Sequence, residues 1–216
     1  IAVSQLKGKL GAEDAQTALS DLATAVLRGV LRIAAREIEL RHGGFYGGAS
    51  GPGQHHGTMG IIGYGTLGAA ELGYNSDLDI VFLHDSAGQK QYTNGEKSID
   101  NTQFFSRVAQ KVLHILGART HSGILYETDT RLRPDGRAGM MVSSVSAFDE
   151  YQRNKAWTWE HQALLRTRII TGSEPVSQEF ARIRQSVLEV ARDPAKICAD
   201  VVEMREKMRS HLASRR

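Results

Sequence analysis

A glycine-rich turn that leads into two aspartates and then an unbroken apolar run constrains this chain more than any other feature. The stretch begins Gly63-Tyr64-Gly65-Thr66-Leu67-Gly68, passes Glu71 and Ser76, and reaches Asp77-Leu78-Asp79 before Ile80-Val81-Phe82-Leu83. Side chains at i and i+2 of a strand point to one face, so Asp77 and Asp79 stand side by side. Their like charges repel, which is costly unless a cation lies between them. The hard cation that suits two carboxylates and a phosphate is magnesium. After Asp79 both faces of the strand are apolar, which makes it a central strand.

A third carboxylate follows. Tyr126 to Pro134 reads as a threonine-rich strand that ends at a turn. Period-two alternation puts Glu127, Asp129, Arg131 and Arg133 on one face. One reason for four charges on a face is a site, with an acid to complete a metal cage and guanidiniums to hold phosphate oxygens. The other is a solvated edge strand with cross-strand ion pairs. Beside Asp77 and Asp79, the site is the preferred reading.

Around this centre the chain divides into three parts. Residues 1–57 carry a helix over 14–41, with Leu19, Leu22, Val26, Val30, Ile33 and Ala34 at helical spacing. They end in a glycine-rich segment, 43–57, expected to be a surface loop. His55 and His56 are adjacent there and lack the i, i+4 spacing of a helical zinc pair, so solvent exposure is expected. Residues 58–145 form the core. A short strand at 58–64 precedes the glycine turn, Ala69 to Leu72 start a helical turn, and a strand covers 77–84. A helix at 101–117 follows, capped by Asp100 and closed by Gly117, with Phe105, Val108, Val112, Ile115 and Leu116 on its buried face. Pro134-Asp135-Gly136 is a turn, and Met140 to Val142 return as a paired strand. Residues 146–216 read as helical throughout. Ser146 and Asp149 approximate a capping box, and Pro175 and Pro194 mark first helical turns. The last helix carries Ile197, Val201, Met204, Met208 and Leu212. Trp157 and Trp159 are read as anchors of this helical part to the sheet, in preference to contacts with adenine or a partner. Arg166 and Arg168 are either phosphate contacts or surface charges.

The combination of motifs resembles the nucleotidyltransferase domains of the glutamine synthetase adenylyltransferase family, bifunctional enzymes that attach and remove adenylyl groups. The resemblance rests on Gly63 to Leu72, on Ser76-Asp77-Leu78-Asp79, on Glu127 to Pro134 with Gly136, and on Trp159 to Arg166. It spans about residues 58–172. Glu71 to Asp79 with Leu83-His84-Asp85 looks more like the C-terminal, adenylylating domain. Thr66 stands where many relatives carry lysine, and Ala69 where they carry a second glycine.

The resemblance implies an α+β fold, a polymerase-β-like nucleotidyltransferase mixed sheet with an N-terminal helix and a C-terminal helical segment. It implies transfer of AMP from ATP to a tyrosine hydroxyl of glutamine synthetase, which controls nitrogen assimilation. Two Mg2+ ions would be held by Asp77, Asp79 and Asp129, with Asp129 also a proton acceptor. Gly65, Gly68, Ser76, Arg131 and Arg133 would contact the nucleotide. Ser76 has a second reading as a turn residue that bonds its own backbone. A PII-type signalling protein and glutamine would regulate the full-length enzyme. Adenylyl removal by phosphorolysis, nucleotidyl transfer to a small molecule, and a non-catalytic regulatory domain remain as alternatives.

Bulk properties are compatible with these expectations. A formal net charge of +3 over 216 residues does not call for nucleic acid. One cysteine, Cys198, allows no internal disulfide and suits a reducing cytoplasm. No apolar run reaches the length of a membrane span, and no signal peptide is expected. A start at Ile1 suggests a fragment of a longer protein.

Overall fold

The apolar run after Asp79 is buried on both sides, as its composition requires. The computed structural model describes residues 1–44, 59–86, 91–121 and 123–213. The glycine segment from 45 on, with His55 and His56, lies outside the described residues. In chain order the elements are α1 (Ala2–Leu6), α2 (Ala12–His42), β1 (Met59–Gly63), α3 (Gly65–Gly68), β2 (Leu78–His84), α4 (Asn101–Gly117), β3 (Arg119–Thr120), β4 (Gly123–Ile124), β5 (Thr128–Asp129), β6 (Val142–Ser144), α5 (Val145–Asn154), α6 (Thr158–Leu164), β7 (Arg168–Thr171), α7 (Glu174–Leu188) and α8 (Pro194–Ala213). This is the α+β mixed sheet expected of a polymerase-β-like nucleotidyltransferase.

Strand β2 is central. It pairs antiparallel with β1, Ile61 opposite Phe82. Its other edge pairs in parallel with β5 at the opening end and with β6 at the far end. Strand β7 adds antiparallel to the outer edge of β1. Leu78, Ile80 and Phe82 alternate onto the face covered by α2 and α4, where Leu27, Val30, Phe105, Val108 and Val112 are buried. Val81 and Leu83 take the other face, against Val145 and Phe148 of α5, Leu164 of α6, and Phe180 and Ile183 of α7. Residues from α2 and β7 lie in the same core as residues 59–82.

Several local expectations are corrected. The buried stripe of α2 is Ala23, Leu27, Val30, Ala34 and Ile38, while Leu22 and Ile33 are 50% and 56% exposed. The threonine-rich segment is strand only at Thr128–Asp129, so Glu127, Asp129, Arg131 and Arg133 do not share one strand face. The physical cause is Arg133. Its buried guanidinium donates to the carbonyl and hydroxyl of Thr130 at 2.8 and 2.9 Å and folds the chain into a turn. Val142 to Ser144 return to β2 and not to β5. Ser144, not Ser146, caps α5 by accepting from the Ala147 amide at 3.1 Å; Asp149 instead pairs with Arg153 and Arg182. The region after 146 is not all helical, because Ile169 and Ile170 carry β7 into the sheet. The helical turn sits on Gly65–Gly68 and not on Ala69 to Leu72, where Ala70 has φ +60. Helix α4 begins at the expected cap, Asp100, but Gly117 is its last helical residue and Ala118 leaves extended.

The tryptophans do not anchor helices to the sheet. Trp157 is 63% exposed, with the Lys207 ammonium 5.8 Å from its ring centroid, and both tryptophans face α8. The buried member of that motif is Glu160. It accepts from the Tyr151 hydroxyl and the Trp157 amide, each at 2.9 Å, and so ties α6 to α5. A buried carboxylate survives only when so bonded.

Candidate active site

The parallel register of β2 and β5 creates the site. Asp79 and Asp129 are paired residues of adjacent strands, and the Leu78 amide donates to the Glu127 carbonyl at 2.9 Å. Asp77 joins them from the residue before β2. Carboxylate oxygens of Asp77, Asp79 and Asp129 lie within 4.8 Å of one another, and among the described residues no other group of this kind occurs. Asp77 is exposed and the other two half-buried. Glu127 is exposed and stands outside the cluster.

The electrostatics are those of a cation site. Asp79 is pushed up to about 6, first by burial and then by the charges of Asp77 and Asp129, with Arg131 pulling the other way. Asp129 is held below the ordinary carboxylate range, chiefly by the hydrogen bond from the Arg131 side chain. The Arg131 amide donates to Asp129 Oδ1 at 2.8 Å and its Nε to Oδ2 at 2.6 Å, with Nη2 on the same oxygen. An arginine thus supplies the positive charge that three converging acids require. All-oxygen donors at this spacing fit a hard divalent cation.

The glycine turn presses on these acids. The Tyr64 amide donates to the Asp79 carbonyl at 2.9 Å. Gly65 has φ +56, and a Cβ there would lie 2.6 Å from Asp79 Oδ2. A Cβ on Gly68 would lie 2.1 Å from the Arg166 carbonyl oxygen. Both positions therefore need glycine, the first for its backbone conformation and its closeness to a carboxylate. Gly65→Ala is expected to cost about 1–2 kcal/mol of stability and to weaken divalent-cation binding by displacing Asp79. Thermal unfolding and Mn2+ calorimetry on the variant measure both effects. Unchanged metal affinity would separate the turn from the acids.

Other sequence-selected residues have clear structural partners. Ser76 Oγ accepts from the Gly73 amide at 3.0 Å, the turn geometry of its second reading. Arg133, besides Thr130, reaches the carbonyls of Gly139 and Arg137, each at 3.4 Å. Arg166 pairs with Glu71 at 2.5 Å on the surface. Arg168 donates to the Leu67 carbonyl at 3.0 Å and to Thr24 Oγ1 at 3.1 Å. The Leu72 amide donates to Ser20 Oγ at 3.1 Å. Helix α2 thus braces the glycine turn from behind through Ser20 and Thr24. Only long-range contacts show this role for α2, and no sequence signal pointed to it.

Comparison with known proteins identifies the family. The family described as glutamate-ammonia ligase adenylyltransferase (GlnE) matches residues 1–183. Three similar proteins are each named bifunctional glutamine synthetase adenylyltransferase/adenylyl-removing enzyme. That of Thioalkalivibrio sulfidiphilus is 48% identical, and those of Pseudomonas syringae pv. tomato and Vibrio parahaemolyticus are each 46% identical. Each alignment covers 100% of this chain and 22% of the relative, so the chain spans about a fifth of their length.

Proposed function

Because the chain belongs to the glutamate-ammonia ligase adenylyltransferase family, we propose that it is an adenylyl-transferring domain that moves AMP from ATP to a tyrosine hydroxyl of glutamine synthetase. The observation that carries the reading is the register pairing of Asp79 with Asp129, with Asp77 alongside. In it, Asp77, Asp79 and Asp129 would hold two Mg2+ ions. Bound there, the metal supplies charge neutralisation for the triphosphate and activation of the attacking oxygen.

The chain's own residues do the rest. The backbone of Gly65 gives phosphate oxygens close access, since no Cβ intervenes, whereas Gly68 is buried against the Arg166 carbonyl with its amide on the Tyr64 carbonyl and serves the turn. A free tyrosine has a pKa of about 10, so its proton must be drawn off as its oxygen bonds the α-phosphorus and the bond to the departing pyrophosphate breaks. In this reading Asp129 accepts that proton. Arg131 is the exposed guanidinium available to the nucleotide. Arg133 and Ser76 support the turns on either side. The same reading places the protein in the cytoplasm, with a PII-type signalling protein and glutamine as regulators of the longer enzyme.

The relatives' names also include adenylyl removal, so the direction of the reaction needs a direct test. Purified glutamine synthetase is incubated with this chain, Mg2+ and ATP labelled in the α-phosphate. Labelled glutamine synthetase is the expected result. Phosphate-dependent release of label from pre-adenylylated glutamine synthetase, without forward transfer, would assign the removing activity instead.

A further inference from the structure

We propose that Arg131 is an exchangeable occupant of the metal site, which holds Asp129 until a divalent cation displaces it and then turns to the phosphates of the nucleotide. This rests on the reading of the three acids as the metal-nucleotide site and adds to it a coupling between the two ligands.

The two arginines of the Arg131-Leu132-Arg133 segment are built differently. Arg133 is buried, and its guanidinium is spent on backbone carbonyls of the 130–139 turn and on the Thr130 hydroxyl. The Arg131 side chain is 63% exposed, and its one partner among the described residues is the Asp129 carboxylate. Arg133 keeps the turn in place whether or not Arg131 moves. Arg131 can therefore leave without unfolding anything.

What it occupies is the donor set itself. Asp129 Oδ1 takes the Arg131 amide, and Oδ2 takes both Nε and Nη2. The guanidinium charge is also felt by Asp79 and Asp77. A divalent cation held by Asp129 brings a positive charge beside the guanidinium, so the two compete for one carboxylate and repel each other. Once displaced, Arg131 sits on an exposed turn beside the place where a metal-bound triphosphate would lie. A guanidinium matches phosphate oxygens with two parallel N–H donors. Metal entry thus frees a nucleotide ligand, and the nucleotide keeps the arginine away from the metal. Linkage makes the effect reciprocal.

The test is Mn2+ calorimetry on the 216-residue chain and on Arg131→Gln, with and without a non-hydrolysable ATP analogue, and with Asp79→Asn as control. Exchange predicts that Arg131→Gln binds Mn2+ more tightly than wild type without nucleotide, by about three- to tenfold, the size of one exposed ion pair or slightly more. It also predicts that the same variant binds the Mn2+–nucleotide complex more weakly than wild type. Opposite signs are required. An arginine that stayed on Asp129 would give tighter metal binding in both conditions and no loss of nucleotide, which overturns the proposal. Unchanged metal affinity in Arg131→Gln, with binding lost in Asp79→Asn, overturns the exchange and leaves the acids as the site. No Mn2+ binding by wild type would overturn both.

Discussion

Asp79→Asn is expected to lower AMP transfer by more than about 100-fold, beyond the 10–100-fold usual for an outer-shell partner of a metal ligand, while the fold becomes more stable. The carboxylate is pushed from 3.8 up to about 6 by burial and by Asp77 and Asp129. A raised folded-state pKa means the fold favours the neutral form. The stability this group contributes is fully present below about pH 4 and is lost as pH rises through about 6. At pH 7 the wild type therefore carries a penalty that asparagine lacks. Asp79 is only half-buried and its neighbours are wet, so solvent screening reduces that penalty to about 1 kcal/mol. Thermal unfolding of both proteins from pH 4 to 8 should show the variant ahead at pH 7 and the gap closed at pH 4. Metal binding runs the other way and should weaken as pH falls below about 6. Near wild-type transfer by Asp79→Asn would remove the metal assignment.

Asp129→Ala and Glu127→Ala should differ sharply although they are two residues apart. Asp129 is paired in register with Asp79 and lies in the acidic cluster; Glu127 is exposed and outside it. The alanine at 129 removes a ligand and leaves Arg131 without its partner, so transfer should be lost at every magnesium concentration tested. The alanine at 127 should weaken transfer only modestly, as loss of an exposed charge is worth about 0–1 kcal/mol. The two are compared at saturating ATP across a magnesium titration. Greater damage from Glu127→Ala would place the third ligand wrongly.

Asp77 and Asp79 were legible in the sequence because their signal is local, whereas Asp129 in preference to Glu127 rests on the family resemblance. Asp77 and Asp79 need only the i, i+2 rule, and Gly65 announces close approach by its type. Strand β2 was legible from its apolar run, and α4 from its period and from Asp100. What sequence could not supply is pairing at a distance. Strands β5 and β6 both join β2 in parallel, and parallel partners leave no turn signature between them. The shortness of β5 is hidden from the sequence because one side chain, Arg133, spends its donors on the backbone and ends the strand, which alternation alone does not reveal. Strand β7 is four residues set between helices, too short for its two isoleucines to outweigh helical neighbours. The bracing of the glycine turn by Ser20, Thr24 and Arg168 joins residues that are 52 and 101 positions apart in its shortest and middle links. No periodicity carries that information.

Whether the three acids brought together by the β2–β5 register make a divalent-dependent nucleotide site is decided by thermal unfolding of the wild-type chain with ATP, with and without EDTA. A ligand that binds only the native state adds about 2.7 kcal/mol at a hundred times its dissociation constant, which is a shift of several degrees for a domain of this size. ATP with Mg2+ should produce that shift, and EDTA should abolish it. Equal stabilisation by ATP in the presence and absence of EDTA would contradict such a site, because the nucleotide would then be held without the acids.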